Sequence, residues 1–334
     1  MRLDKEVKDC VFPFVIEEKK KTRVIITYKK DQDGIDLRNY HEEILKKLTK
    51  ENTSKLSFAY KKGICTKDAV LPHNKSNLFI KMDIKSFFES ITYDAFLNET
   101  KDYFVPFKGI EKCFYNNHLS LGFVASPKIS DIYMYGFDLK IEEYLKHNPT
   151  IKFSRYCDDI LISTKSDNFG TLHTFKSFIE DSLNDMNLTI NKQKVKEFDF
   201  EKQTSMSFLG LNLVPQDNGN SIITISKPFI VKTLSLIERY YKIEEQLGEL
   251  KVDVSNRWKK MKNEKCEQDY IDESYEIYYK YKNLKKKRIE KRGIILSRIA
   301  YIKNNSKYSY NRFIKKFNNK FENKNIKDLT KWQN

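Results

Sequence analysis

The tetrapeptide Tyr156-Cys157-Asp158-Asp159 limits what this chain can fold into more than any other feature. Ile151 and Phe153 precede it, and Ile160, Leu161 and Ile162 follow, so the segment reads as strand, tight turn, strand. Two adjacent carboxylates at the end of a buried hairpin repel each other and lose hydration. A divalent cation would resolve that conflict and account for both acids. The competing reading is an ordinary Asp-Asp hairpin turn.

A second acidic strand favours the cation. Leu78-Phe79-Ile80-Lys81-Met82-Asp83 runs apolar up to one aspartate and continues as Ile84-Lys85-Ser86-Phe87-Phe88. Strands offering Asp83 and Asp158/Asp159 could meet in one sheet and hold two Mg²⁺ ions, an arrangement suited to activating a 3′-hydroxyl and stabilising a pyrophosphate leaving group. Carboxylate ligands suit Mg²⁺, with Mn²⁺ as a substitute, and no His/Cys cluster argues for a softer metal.

These segments resemble the motifs of bacterial reverse transcriptases of the retron and defence-associated (unknown-group, abortive-infection-like) class. FIKMDIKSFFESI is similar to the first palm motif, LGFVASPKISDIYM to the second and FSRYCDDILIS to the third. LTINKQKVKEF and SFLGLNL resemble the lysine-bearing motif and the primer grip, and AYKKGICTKDAVLPH the stretch before the palm. The motifs come in order, Asp83 and Asp158 lie 75 residues apart, and the matches span roughly residues 20–215. The resemblance implies an α+β, right-hand polymerase. Its fingers would occupy residues 1–77, a palm of antiparallel sheet plus helices residues 78–225, and an all-helical basic thumb residues 226–334.

The same resemblance implies residue roles. Asp83 and Asp158 would ligate the metals, Asp159 would ligate transiently or orient its neighbour, and Ile84 would offer its carbonyl. Phe88 would be the sugar gate that excludes a 2′-hydroxyl, or else simple core. Lys194 would protonate departing pyrophosphate, with Lys192 and Lys196 as rivals. Arg23 would clamp the triphosphate, Leu121 and Gly122 would line the dNTP site, and Arg155 would be structural.

Charge is distributed unevenly. Residues 275–334 hold 18 Lys/Arg against 4 Asp/Glu, a net of +14, whereas the whole chain nets +16. A genome-wide lysine bias would spread the excess, so this local excess suggests phosphate contacts by Lys285, Lys286, Lys287, Arg288, Lys291 and Arg292. A solvated helix face is the alternative. Interleaved Tyr301, Tyr308 and Tyr310 argue against a membrane surface. Ile295/Ile299/Ile302 and Phe313/Phe317/Phe321 recur at helical spacing and read as core. The five cysteines form no CxxC pair, and no 18-residue apolar stretch occurs, so a cytoplasmic protein with reduced thiols is expected.

The chain also departs from the family pattern. Leu121-Gly122 stands where most members have Gln-Gly, Asp68-Ala69-Val70-Leu71-Pro72-His73 matches the retron NAxxH stretch imperfectly, and no VTG follows. These departures favour the unknown-group branch over a retron proper. About 110 residues follow the palm motifs, room for a thumb but not for an RNase H or endonuclease domain. The implied function is RNA-templated DNA synthesis in anti-phage defence. A noncoding RNA would serve as template or scaffold, dNTPs as substrates and DNA as product, with a toxin or effector encoded nearby as a further partner. Two alternatives stay open: untemplated or protein-primed synthesis, with Tyr308, Ser309 or Tyr310 as priming hydroxyl, and an inactive RNA-binding scaffold.

Overall fold

The computed structural model describes residues 5–18 and 21–330, and at 17, 18, 21–23 and 330 the backbone alone. The chain divides into two units: residues up to Leu209 together with Leu213–Ile222, and Gly210–Asn212 together with Ile223 onward.

A four-stranded antiparallel sheet organises the first unit, in the order Lys152–Tyr156, Asp159–Thr164, Leu78–Asp83, Lys196–Asp199. The expected hairpin forms, with Cys157 and Asp158 between its strands. Ile80 and Met82 lie opposite Ile162 and Ile160, and all four are fully buried. Helices Ser126–Tyr133, Tyr135–His147 and Gly170–Asn184 cover this side, contributing Ile129, Phe137, Phe175 and Leu183 to one core. Burial on both faces explains why these strands read as continuous apolar runs, unlike a half-exposed sheet. The helical segment from Ser126 to His147 is broken at Met134. Tyr103 is the physical reason: its hydroxyl lies 3.2 Å from the Ile132 carbonyl and 3.3 Å from the Gly136 amide, entering the helical ladder.

The helix Gln32–Leu48 starts at Asp31, whose carboxylate accepts from the Gly34 amide, and buries Leu37, His41, Ile44 and Leu48 on one stripe. Val11–Glu18 and Lys21–Tyr28 form a separate antiparallel pair.

His73 lies fully buried between two serine hydroxyls, 2.6 Å from Ser163 at Nδ1 and 2.6 Å from Ser154 at Nε2. A neutral imidazole has one donor and one acceptor, which two hydroxyls can satisfy. Ser154 also donates to the Ala69 carbonyl, so the network pins residues 69–73 to the sheet. This makes His73 a structural residue of the four-stranded sheet.

The second unit is helical from Lys227: Lys227–Asn263, Gln268–Asn305, Lys307–Lys320 and Ile326–Thr330. Pro228 sits in the first turn, where a missing amide costs nothing. Ile230, Leu234, Ile237, Ile243 and Leu247 recur at helical spacing and are buried, as are Ile295, Ile299, Ile302, Phe313 and Phe317. Phe321 is only half-buried. Among the described residues no helix is long and apolar enough to cross a membrane, and all five cysteines are free.

Burial lowers the pKa of His73 to about 3 and that of His41 to about 4. Both values lie below the unfolded value of 6.5, so between these limits the unfolded chain takes up protons that the folded chain refuses. Their stabilisation is complete above pH 6.5 and is lost as pH falls, by up to about 1.4 kcal/mol per pH unit for each histidine. Denaturant titrations at pH 7 and pH 5 should show this loss. His73→Gln should be less stable at pH 7 but have a flatter pH dependence, and an equal slope in both proteins would refute the assignment.

Candidate active site

The register of the sheet creates the site. Asp83 and Asp159 are direct cross-strand partners, and Asp158 stands in the adjoining turn. The Ile84 amide donates to the Asp158 carbonyl at 2.9 Å, which closes the turn onto the end of the strand Leu78–Asp83. Cys157 takes a left-handed conformation at φ 60°, uncommon for a residue with a Cβ. Like charges directly opposite each other destabilise a sheet, so this strand end is held together against its own electrostatics.

The electrostatics register that conflict. Burial raises the carboxyl pKa of Asp158, and the charges of Asp159 and Asp83 raise it further. Burial also raises Asp159, with Asp83 adding to the shift and Lys81, 3.5 Å away, opposing it. Lys194 places its ammonium 2.7 and 2.6 Å from the two oxygens of Asp83. No group of three or more His, Cys, Asp or Glu converges as a ready metal site among the described residues. Mg²⁺ needs only one or two carboxylates when water and phosphate oxygens complete its shell. A cluster of oxygen donors carrying excess negative charge meets that requirement.

An open cleft of about 1410 Å³ surrounds the three aspartates, with Phe88, Leu121 and Lys194 in its walls. That is larger than a small-molecule pocket requires. Phe88 is mostly buried and packs edge-on against Phe87 while one side lines the cleft. The Leu121 carbonyl accepts from the Ile26 amide at 3.0 Å. Gly122 lies at φ 108°, and a Cβ there would sit 2.3 Å from the Ile26 carbonyl oxygen. Only glycine permits this approach of the Lys21–Tyr28 strand. Arg23 lies on that strand, with its side chain outside the described ones.

Arg155 proves to be the anchor of the turn. Its fully buried guanidinium donates to both oxygens of Asp138 at 2.9 and 2.6 Å and to Asp131 at 2.9 Å, with a longer bond of 3.3 Å to the Cys157 carbonyl. Ser57 donates to the same Asp131 oxygen. Burial raises the carboxyl pKa of Asp138, and the charge of Arg155 opposes that shift. Sequence reading missed Asp131 and Asp138. Their seven-residue separation, which returns both to one side of a helical segment beside buried Ile132 and Phe137, was the available signal, because two buried acids require a buried cation.

The basic run is heterogeneous. Lys285, Lys286 and Lys287 are exposed, and Lys291 is half-buried. Arg288 pairs with Glu244 at 3.0 Å, and Arg292 donates to the Leu329 carbonyl at 3.2 Å, so both tie helices of their own unit together. Of the candidate priming hydroxyls, Ser309 is buried and accepts from the Ile225 amide, whereas Tyr308 is exposed.

Residues 16–213 match the profile of the family described as reverse transcriptase (RNA-dependent DNA polymerase). This chain belongs to that family. It is 33% identical over 146 residues to the Retron Ec83 reverse transcriptase of Escherichia coli, covering 39% of this chain and 46% of that protein. It is also 26% identical over 123 residues to the Retron Ec86 reverse transcriptase of the same organism, covering 36% and 38%. The matched part thus spans less than half the length of either relative. Among solved structures, telomerase from Candida albicans in complex with a fragment of telomeric RNA aligns at a TM-score of 0.46 with 14% identity, over 95% of this chain and 66% of that one.

Arg155→Met should lower stability by about 3–5 kcal/mol, because it leaves two buried carboxylates without their counter-charge. Urea unfolding measures the loss. A loss below about 1 kcal/mol would show that solvent reaches the triad.

Proposed function

We propose that this chain is an RNA-directed DNA polymerase acting through Asp83, Asp158 and Asp159. The observation that carries the reading is the pairing of Asp83 with Asp159, beside Asp158, at the mouth of an open cleft. The three carboxylates would hold two Mg²⁺ ions, with Mn²⁺ as a substitute and the Ile84 carbonyl as a further ligand. When bound, these ions supply a more acidic primer 3′-hydroxyl and compensation of triphosphate charge.

The remaining roles belong to the chain itself. Lys194, now on Asp83, would pass to the leaving pyrophosphate and donate a proton. Phe88 would exclude a 2′-hydroxyl, Leu121 and Gly122 would border the incoming dNTP, and Arg23 would reach its phosphates. Residues 1–77 would act as fingers, 78–225 as palm and 226–334 as a basic thumb. Lys285, Lys286 and Lys287, being exposed, would contact phosphates. Arg288 and Arg292 would support them structurally.

The template would be a noncoding RNA and the setting anti-phage defence, with an effector protein as a further partner. Similarity to two retron reverse transcriptases supports this first reading. Untemplated or protein-primed synthesis is the second reading. Leu121 in the cleft wall favours it, since leucine cannot hydrogen-bond a nucleotide, and the exposed Tyr308 hydroxyl is free of the burial that removes Ser309.

Primer extension on an RNA template, with sequencing of the product and of copurified RNA, tests the reading. Asp158→Asn should reduce Mg²⁺-dependent incorporation by several orders of magnitude while leaving RNA binding intact, since one lost ligand removes several kcal/mol of transition-state stabilisation. Undiminished extension would sink the polymerase assignment, and a product unrelated to template would favour the second reading. In the same assay Phe88→Val should raise the rNTP/dNTP ratio, whereas an unchanged ratio assigns Phe88 to the core.

Replacing Lys285, Lys286 and Lys287 with glutamine should flatten the log–log salt dependence of nucleic-acid binding by up to about two to three units. Retaining Arg288 keeps its pair with Glu244. An unchanged slope would make this run a solvated helix face.

A further inference from the structure

Tyr60 has no part in the roles above, yet it stands beside the catalytic turn. Residues 56–58 run along the hairpin as an added edge: the Arg155 amide donates to the Leu56 carbonyl and the Phe58 amide to the Arg155 carbonyl, each at 2.9 Å. This contact delivers Tyr60 to Cys157, where its hydroxyl donates to Sγ at 2.9 Å. The backbone of Tyr60 lies at φ 60°, a conformation rare for bulky residues and found where surroundings impose it, often at functional sites.

The two ends of the side chain have different environments. Burial, then the neighbouring Cys157 and Asp158, push the phenol pKa up, so the hydroxyl stays protonated and remains a donor. The residue as a whole is 48% exposed and lines the cleft that contains Asp83 and Asp158. The polar tip is therefore fixed while much of the ring surface stays open. A rigid aromatic face lining an open cleft is the type of surface on which nucleobases stack regardless of sequence. If Tyr60 merely covered Cys157, neither a constrained backbone nor an open ring would be needed.

We infer that Tyr60 is a stacking platform for the terminal base pair of the primer–template, in contact with the base of the primer's 3′ nucleotide. Cys157 adjoins Asp158 in sequence, so a base on this ring belongs to the nucleotide whose 3′-hydroxyl must reach the carboxylates. The primer base is therefore favoured over its template partner. The inference rests on the polymerase reading above, and extension of an intact primer by the wild-type protein tests that reading separately.

Equilibrium binding of the full chain to an RNA template with a DNA primer decides the matter, without any need for turnover. Three duplexes are compared: intact, abasic at the primer 3′ position, and abasic at the opposing template position. The wild-type protein should lose about tenfold in affinity on the primer lesion, the scale of one aromatic–base stack. Tyr60→Leu should bind the intact duplex about tenfold more weakly and show no further loss on the lesion. Tyr60→Phe keeps the ring without the tether and should stay within about threefold of wild type. The lesion result for the wild-type protein does not depend on any variant folding. Equal lesion sensitivity in wild type and Tyr60→Leu, or no sensitivity in wild type, would overturn the stack. Sensitivity confined to the template lesion would overturn the primer assignment.

Discussion

Repulsion among three carboxylates at one end of one sheet is the constraint on which the site depends. Asp83 faces Asp159 across an antiparallel pair, the arrangement that sheets ordinarily avoid. The pairing persists because Lys194 and Lys81 supply positive charge at the rim, and because the strands carrying the acids are buried on both faces. Apolar burial of Ile80, Met82, Ile160 and Ile162 contributes on the order of 1.5–3 kcal/mol for each side chain. Taken together, the four burials exceed the roughly 4 kcal/mol that a carboxylate pair about 4 Å apart costs at an effective dielectric near 20. Hydrophobic packing thus holds the acids close, and the strand end concentrates negative charge for a cation to neutralise.

The turn needs separate support, because a left-handed Cys157 would otherwise relax. Arg155 provides it from inside the fold, joining the strand before the turn to Asp131 and Asp138 on two helices and reaching the Cys157 carbonyl. A single cation between two buried acids contributes geometry more than stability, since desolvation offsets most of its attraction. The position it dictates is that of the acids one and two residues beyond Cys157. The same strand receives residues 56–58 along its edge, so a segment far away in sequence is drawn to the aspartate-bearing turn.

Much of this architecture was legible because it is local. The strand–turn–strand around Asp158, the strand ending at Asp83, the fully helical segment after Pro228 and the apolar stripes at Ile295 and Phe313 are periodic patterns within single elements. The break at Met134 was not legible, since Tyr103, a hydroxyl from another element, creates it. The basic run was legible as composition only. Side-chain pairing then separated three exposed lysines from Arg288 and Arg292, which serve their own helices.

The sequence by itself determined which residue types are at hand, on which strands and helices they lie, and which faces of those elements are apolar. Tertiary structure alone decided which acid faces which, that Lys194 lies on Asp83, that Arg155 takes two helical aspartates, and that Tyr60 meets Cys157. The physical reason is range. Hydrophobic periodicity is fixed by backbone geometry within a few residues, whereas these contacts join positions 111, 17 and 24, and 97 residues apart. Strand register and buried charge compensation depend on the whole packed unit, because a one-residue slip would turn every acid of the site to the opposite face.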